Sequence, residues 1–239
     1  RRQRLMCIRD SNRVVSWSHC GIAYEADSRH AEIITRDLGL TTGKSVTTPG
    51  VKESANAATS DVALGTTDAT RYRSLAMRAS YLAQDRPDIQ YAVKELARDL
   101  QSPTIASWER LKRLGRYLLH RPRVSMLYRP QHNVSFADVR VDTDWAGCLR
   151  TRKSTNGGAL QLGGHTIKTW ASTQAVIALS SGEAEFYGVV KGASVLLGLI
   201  SLAADLGVRL KGRIHTDSAA ARGICNRRGL GKTRHIRTQ

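Results

Sequence analysis

Residues 141–193 read "VDTDWAGCLRTRKSTNGGALQLGGHTIKTWASTQAVIALSSGEAEFYGVVKGA". With the residues just before them they hold three β-prone runs, "VSFADVRVDTD", "GGALQLGG" and "HTIKTWAS", and then the start of a long apolar run. Glycines and charged turns separate the first three, which is the punctuation of successive strands. The apolar run from about Ser181 to Leu206 is expected to be a helix, with Gly207 as its C-terminal stop. Downstream, "GRIHTD" reads as a further strand and "SAAARGICN" as a short helix. Strand, strand, strand, helix, strand, helix predicts an α/β domain with a mixed sheet, starting near residue 134 and running to 239.

Two carboxylates, Glu183 and Glu185, stand at the entrance of the long helix. Free N–H groups and the macrodipole favour acids there. Ser180 or Ser181 is the expected N-cap, and Glu183, three residues after Ser180, completes a capping box. That explanation leaves Glu185 without a structural reason. At 3.6 residues per turn the two glutamates lie about 200° apart, so at most one can face a given cleft. Glu185 shares its stripe with Gly188, Val189 and Gly192, small residues that permit close approach to a sheet. The larger Phe186, Val190, Ala193 and Leu197 centre nearer Glu183, so periodicity leaves the choice open.

Two other acidic places fall at ends of elements: "VDTDW", with Asp142 and Asp144, and "HTDSA", with Asp217. Each has a plain alternative, as a turn residue or as the N-cap of "SAAARGIC". Residues two apart on a strand face the same side, so alternation cannot separate Asp142 from Asp144. Taken together, Asp and Glu without a His or Cys cluster form the oxygen-rich set that Mg²⁺ prefers. The chemistry such a set predicts is phosphoryl transfer or hydrolysis, with two ions about 4 Å apart activating water and stabilising the leaving oxygen.

The rest of the chain points to a polyanionic partner. Its 239 residues carry 37 Lys+Arg against 20 Asp+Glu, a formal net charge of +17. The excess exceeds what solubility requires, with nucleic acid the first candidate and anionic membrane the second. It is spread over "RYRSLAMR", "ERLKRLGRYLLHRPR", "RTRK" and "RRGLGKTRHIR", unlike one disordered basic arm. No uninterrupted apolar stretch of membrane-spanning length is expected, and "RRQRLMCIRDSNR" lacks the apolar core of a signal peptide. Cys7, Cys20, Cys148 and Cys225 form no C-x-x-C pair and read as free thiols. The missing initiator Met and the ending "RHIRTQ" suggest a piece of a longer polypeptide.

Upstream, "RLMCIRDSNRVVSW" reads as a hairpin and "SRHAEIITRDLGL" as a helix capped by Ser28 and stopped by Gly39. Residues 41–70 are rich in Thr, Ser, Gly and Ala and read as a linker, which places a domain boundary at 49–70. Residues 71–130 are expected to be mainly helical. Tyr72, Leu75, Ala79 and Leu82 form one apolar stripe, Ile89, Val93, Leu96 and Leu100 a second, and Trp108, Leu111, Leu114 and Leu118 a third that starts from Ser107.

On these motifs the chain resembles the C-terminal part of Ty1/copia-type retrotransposon Pol polyproteins. The likeness rests on the Asp-x-Asp-Trp-Ala-Gly strand end, the Lys-Ser-Thr turn, the Trp-containing third strand and the Leu-Ser-Ser-x-Glu-Ala-Glu helix start. It continues in "HTDSAAA" and "KTRHI", and upstream in Tyr-Arg-Ser-Leu, Arg-Pro-Asp-Ile and Arg-Tyr-Leu. The resemblance implies the end of a reverse transcriptase region over 1–48, a helical thumb or connection region over 71–130, and a ribonuclease H-like domain over 134–239. It further implies Asp142, Glu185 and Asp217 as catalytic metal ligands, Mg²⁺ with Mn²⁺ as a substitute, and hydrolysis of the RNA strand of an RNA/DNA hybrid. Lys168, Arg222, Arg227, Arg228 and the basic helices are expected to hold the duplex. The other implied partner is the rest of the polyprotein, with no membrane, in a cytoplasmic particle or the nucleus. The chain departs from the pattern at Arg237, where the family shows an Asp; a cation there repels a second metal, so either an acid downstream of Gln239 substitutes, or the second metal is weak, or the copy is decayed, which implies weak activity or a non-catalytic nucleic-acid-binding scaffold. No Tyr-x-Asp-Asp occurs, so no polymerase site is expected.

Overall fold

A computed structural model describes residues 6–10, 13–40, 43–51 and 62–227, and divides the chain between Pro130 and Gln131 into two units. In the first, the expected hairpin forms: β1 (Met6–Asp10) pairs antiparallel with β2 (Arg13–Ser18). Two short strands extend it, β3 (Gly21–Ala26) and β4 (Ser125–Tyr128), giving the sheet order β1-β2-β3-β4. β4 comes from the region expected to be helical. Four residues with no clean alternation carry little strand signal alone, and "SMLY" becomes a strand by pairing with β3.

The helices of this unit are α1 (Arg29–Asp37), α2 (Thr66–Leu82), α3 (Gln90–Ala97) and α4 (Ile105–His120), with a 3₁₀ turn at Pro87–Ile89 before α3. Their apolar stripes meet as one core that includes Tyr72, Leu82, Ile89, Leu96, Leu111 and Leu118. Ala31 and Ile34 of α1, with Leu38 at its C-cap, belong to that same core. The boundary expected at 49–70 is therefore corrected: elements on both sides of it bury one shared core, and Thr66–Thr70 already belong to α2. Residues 52–61 lie outside the described residues. The apolar face of α1 finds its cover among the later helices. α4 starts two residues earlier than Ser107, because Thr104 is the cap and Ser107 closes the capping box from the third helical position. Arg86 holds the turn before α3. Its guanidinium is buried, donates to Asp88 at 2.9 and 2.7 Å, and also donates to the carbonyl oxygens of Arg121 and Pro122.

The second unit has the expected mixed sheet, in the order β7-β6-β5-β8. β5 (Phe136–Asp144), β6 (Thr155–Leu162) and β7 (His165–Thr173) are successive antiparallel strands, and β8 (Lys211–His215) joins β5 in parallel. A parallel neighbour requires a crossover. α5 (Ser181–Asp205) supplies it, and α6 (Ala219–Asn226) follows β8. Ala137, Val139 and Val141 of β5 are buried with Leu160 and Leu196 in the core of this unit.

The glycine stripe of α5 is its contact surface. A Cβ on Gly192 would stand 2.7 Å from Val141 Cγ1 and 2.9 Å from Val139 Cγ1, and one on Gly188 would strike the Thr143 hydroxyl. Val190 and Leu197, from the bulkier side, are exposed. The expectation of no membrane-length apolar stretch is corrected here: α5 is long and apolar enough to cross a membrane by length and composition, with few charges to interrupt its 25 residues. Its glycine face is nonetheless taken up by the sheet.

Two glycines of the same helix separate packing from propensity. Gly192→Ala is expected to lower the unfolding free energy by about 1–3 kcal/mol through overpacking. Gly198→Ala, with nothing within 4 Å of the added carbon, is expected to raise it by about 1 kcal/mol. Urea unfolding of both variants checks the signs.

Candidate functional site

The register of the parallel pair decides which acids can meet. Phe136 stands opposite Lys211 and Arg140 opposite His215. Carried on by two residues, the same offset sets Asp142 beside Asp217. α5 brings the third acid to the same place. The backbone N–H of Thr143 donates to Glu185 Oε1 at 3.2 Å. One carboxylate oxygen from each of Asp142, Glu185 and Asp217 then lies within 4.8 Å of the others.

Asp142 and Asp217 are exposed, whereas Glu185 is half-buried. Its Oε2 is buried and has no hydrogen-bond partner. Burial pushes the Glu185 carboxyl above the ordinary value, against the Thr143 hydrogen bond, and the negative charges of Asp142 and Asp217 push it further the same way. An unpartnered oxygen amid like charges is what a bound cation relieves. Three oxygen donors from carboxylates fit a hard divalent cation such as Mg²⁺ or Mn²⁺.

Neighbouring acids are engaged elsewhere. Glu183 is buried, and its carboxylate accepts from the Leu179 N–H at 2.9 Å and from the Tyr187 hydroxyl at 3.1 Å. Ser180 caps α5 by accepting from the Glu183 N–H at 3.2 Å. The return bond of the expected box goes to Leu179, one residue before the cap. Asp144 accepts from the Thr155 N–H, and Gly147 leaves room for its carboxylate where a side chain would collide. Asp217 does not cap α6, because Ser218 does so by accepting from the Ala221 N–H at 3.1 Å. Asp138, on the same face of β5 as Asp142, accepts from Arg213 Nε at 2.8 Å and Arg213 Nη2 at 2.9 Å and has His215 Nε2 at 2.7 Å. The Arg213 hydrogen bonds, followed by that of His215, hold its carboxyl at about 2.

The structure thus brings together Asp142, Glu185 and Asp217, and sets Glu183 and Asp144 to backbone N–H groups. Lys168, Arg222 and Arg227 are exposed. Arg228, Arg237 and the "KTRHI" segment lie outside the described residues. Sequence reasoning passed over Gln174, Asn156 and Thr143, buried polar residues beneath the three acids. The signal available for Gln174 was an amide at the end of an otherwise β-prone run.

No family model matches the chain, and no solved structure matches it. Among curated proteins it is similar to the Retrovirus-related Pol polyprotein from transposon RE1 of Arabidopsis thaliana, 35% identical over 188 residues, which is 78% of this chain and 13% of that protein. It is also similar to the Retrovirus-related Pol polyprotein from transposon RE2 of Arabidopsis thaliana, 35% identical over 160 residues, 66% of this chain and 11% of that one. An uncharacterized mitochondrial protein of Arabidopsis thaliana is 30% identical over 184 residues, 75% of this chain and 73% of its own length. The chain therefore matches only about an eighth of the two Pol polyproteins.

The raised Glu185 carboxyl has a signed consequence for stability. The folded state holds that proton more tightly than the unfolded chain, so the contribution is complete below the ordinary carboxyl range and is lost as pH rises through the raised value. In metal-free buffer, Glu185→Gln is expected to gain stability relative to the parent as pH rises from 4 to 7. Thermal unfolding of both across that range measures the difference, and added Mg²⁺ should narrow it by stabilising the parent alone.

Proposed function

Because this chain belongs to the family of copia-type retrotransposon Pol polyproteins, we propose that its second unit is a ribonuclease H-like domain that hydrolyses the RNA strand of an RNA/DNA hybrid. The observation that carries this reading is the meeting of Asp142, Glu185 and Asp217, with one buried glutamate oxygen left unpartnered. In this proposal the three carboxylates hold divalent cations. When bound, these supply Lewis acidity for the charge that builds on a phosphate under attack by water.

The chain's own residues contribute placement. Glu185 is aimed by the Thr143 N–H, and Asp142 and Asp217 are exposed, so a phosphodiester can approach them from solvent. Exposed Lys168, Arg222 and Arg227 are assigned to phosphate contacts, which position a duplex without reading its sequence. Discrimination for RNA rests on 2′-hydroxyl contacts across the shallow minor groove of the hybrid. The first unit is assigned to the thumb or connection part of a reverse transcriptase, working inside a cytoplasmic element particle or the nucleus. No polymerase chemistry is assigned to it, since the sequence contains no Tyr-x-Asp-Asp.

Arg237 favours a second reading. In the order of sequence motifs it stands where the family pattern has a fourth carboxylate, and a cation in that role would weaken a second metal ion by repulsion. Slow cleavage follows, and in the limit a scaffold that binds nucleic acid without cutting it.

One assay separates the two readings: titration of Mg²⁺ or Mn²⁺ against a labelled RNA/DNA hybrid. Metal-dependent cleavage is expected, reduced roughly 10²–10³-fold in Asp142→Asn and in Glu185→Gln, nearly unchanged in folded Glu183→Gln, and faster in Arg237→Asp. Binding of the hybrid with no cleavage at any metal concentration would establish the scaffold.

A further inference from the structure

Under the three carboxylates runs a closed circuit of buried polar groups. Glu185 Oε1 accepts from the Thr143 N–H at 3.2 Å. The Thr143 hydroxyl donates to Asn156 Oδ1 at 3.4 Å, across the β5–β6 pair in which the two residues stand opposite each other. Asn156 Oδ1 also accepts from Gln174 Nε2 at 2.6 Å. Gln174 Nε2 donates its other hydrogen to the Ala184 carbonyl at 2.8 Å, which belongs to the peptide unit leading into Glu185. The circuit closes on the residue where it began.

We propose that Gln174 is a positioning residue that sets Glu185 against Asp142 and Asp217. The inference rests on the reading of those three acids as a cation site. Gln174 is 4% exposed, Asn156 7% and Thr143 8%, so none of these bonds competes with water. Its backbone is fixed as well, since the Gln174 N–H donates to the Ser154 carbonyl at 2.8 Å. From that anchor it reaches β6 on one side and the first turn of α5 on the other.

Ordinary packing does not explain the choice of residue. Gln174 Oε1 is buried without a partner, a cost that an apolar side chain of the same length would avoid. What the amide alone offers is two donors on one nitrogen, and both are spent on tying Ala184 to Asn156. Gly188 completes the arrangement, because a side chain there would drive into the Thr143 hydroxyl and lift α5 from the circuit. Without the Gln174 tether the first turn of α5 keeps its helix and its Ser180 cap. It loses the bond that fixes the entry of Glu185 relative to β5.

The test uses the full chain with Mn²⁺ as probe, its binding followed by electron paramagnetic resonance, together with hydrogen exchange at the Thr143 amide. Gln174→Met keeps the length and removes both donors; Gln174→Leu serves in its place where Met does not fold. Leu160→Ala loosens the same core without touching the circuit. The expected result is about tenfold weaker Mn²⁺ binding in Gln174→Met, faster exchange at Thr143, little change in either for Leu160→Ala, and no further loss when Gln174→Met is added to Glu185→Gln. Unchanged binding and exchange in Gln174→Met, or an equal loss in Leu160→Ala, would overturn the assignment. A parent chain that binds no Mn²⁺ sinks the cation reading instead, and Thr143 exchange then decides the role of Gln174 by itself.

Discussion

The second unit depends on how closely one helix can lie on one strand. α5 approaches β5 at Gly188 and Gly192, where even a methyl group would meet Val139, Val141 or Thr143. Packed interiors do not deform smoothly, so this distance is fixed rather than adjustable. At that separation a glutamate at the helix entrance can accept a hydrogen bond from a backbone N–H of the strand. Farther off, Glu185 would reach only solvent, away from Asp142 and Asp217. The burial that makes the carboxyl hard to ionise follows from the same closeness.

Electrostatic order among the acids follows from local bonding. Six carboxylates lie on β5, in the first turn of α5 or just after β8, and three of them are engaged by other groups. Asp138 is neutralised by Arg213, Asp144 is bonded to Thr155, and Glu183 closes the start of its own helix. Each occupied acid is removed as a competitor for a cation. The remaining three repel one another, a cost tolerated on a stable frame and a common mark of functional sites.

Much of this second unit was legible in the residues. Glycines and charged turns marked β5, β6 and β7, and the apolar run with Gly207 after it marked α5. The glycine stripe announced a close contact but not with which face, because Phe186, Val190 and Leu197 form a bulkier stripe that stays largely in solvent. Hydrophobic periodicity ranks faces by apolar content, and here the buried face was chosen by clearance. The choice between Glu183 and Glu185 was hidden for the same reason. It turns on the Thr143 N–H and the Leu179 N–H, backbone groups that a side-chain pattern does not display. In the first unit the Thr- and Ser-rich stretch has the composition of a separating linker, yet Ile34 and Leu38 take their cover from the helices beyond it, a contact that local composition does not display.

The parallel pairing of β5 with β8 carries a consequence for the order of assembly. Asp142 and Asp217 meet only after β6, β7 and the whole of α5 have been made and folded back, since no shorter path joins parallel neighbours. Contacts of such long sequence separation close late, after the local hairpins and helices that shorten the loop. During synthesis the emerging chain therefore carries Asp142 first, then Glu185, and gains its third carboxylate only when β8 docks. A ribosome-bound or prematurely ended chain that stops before Lys211 has the α5 platform and no site upon it.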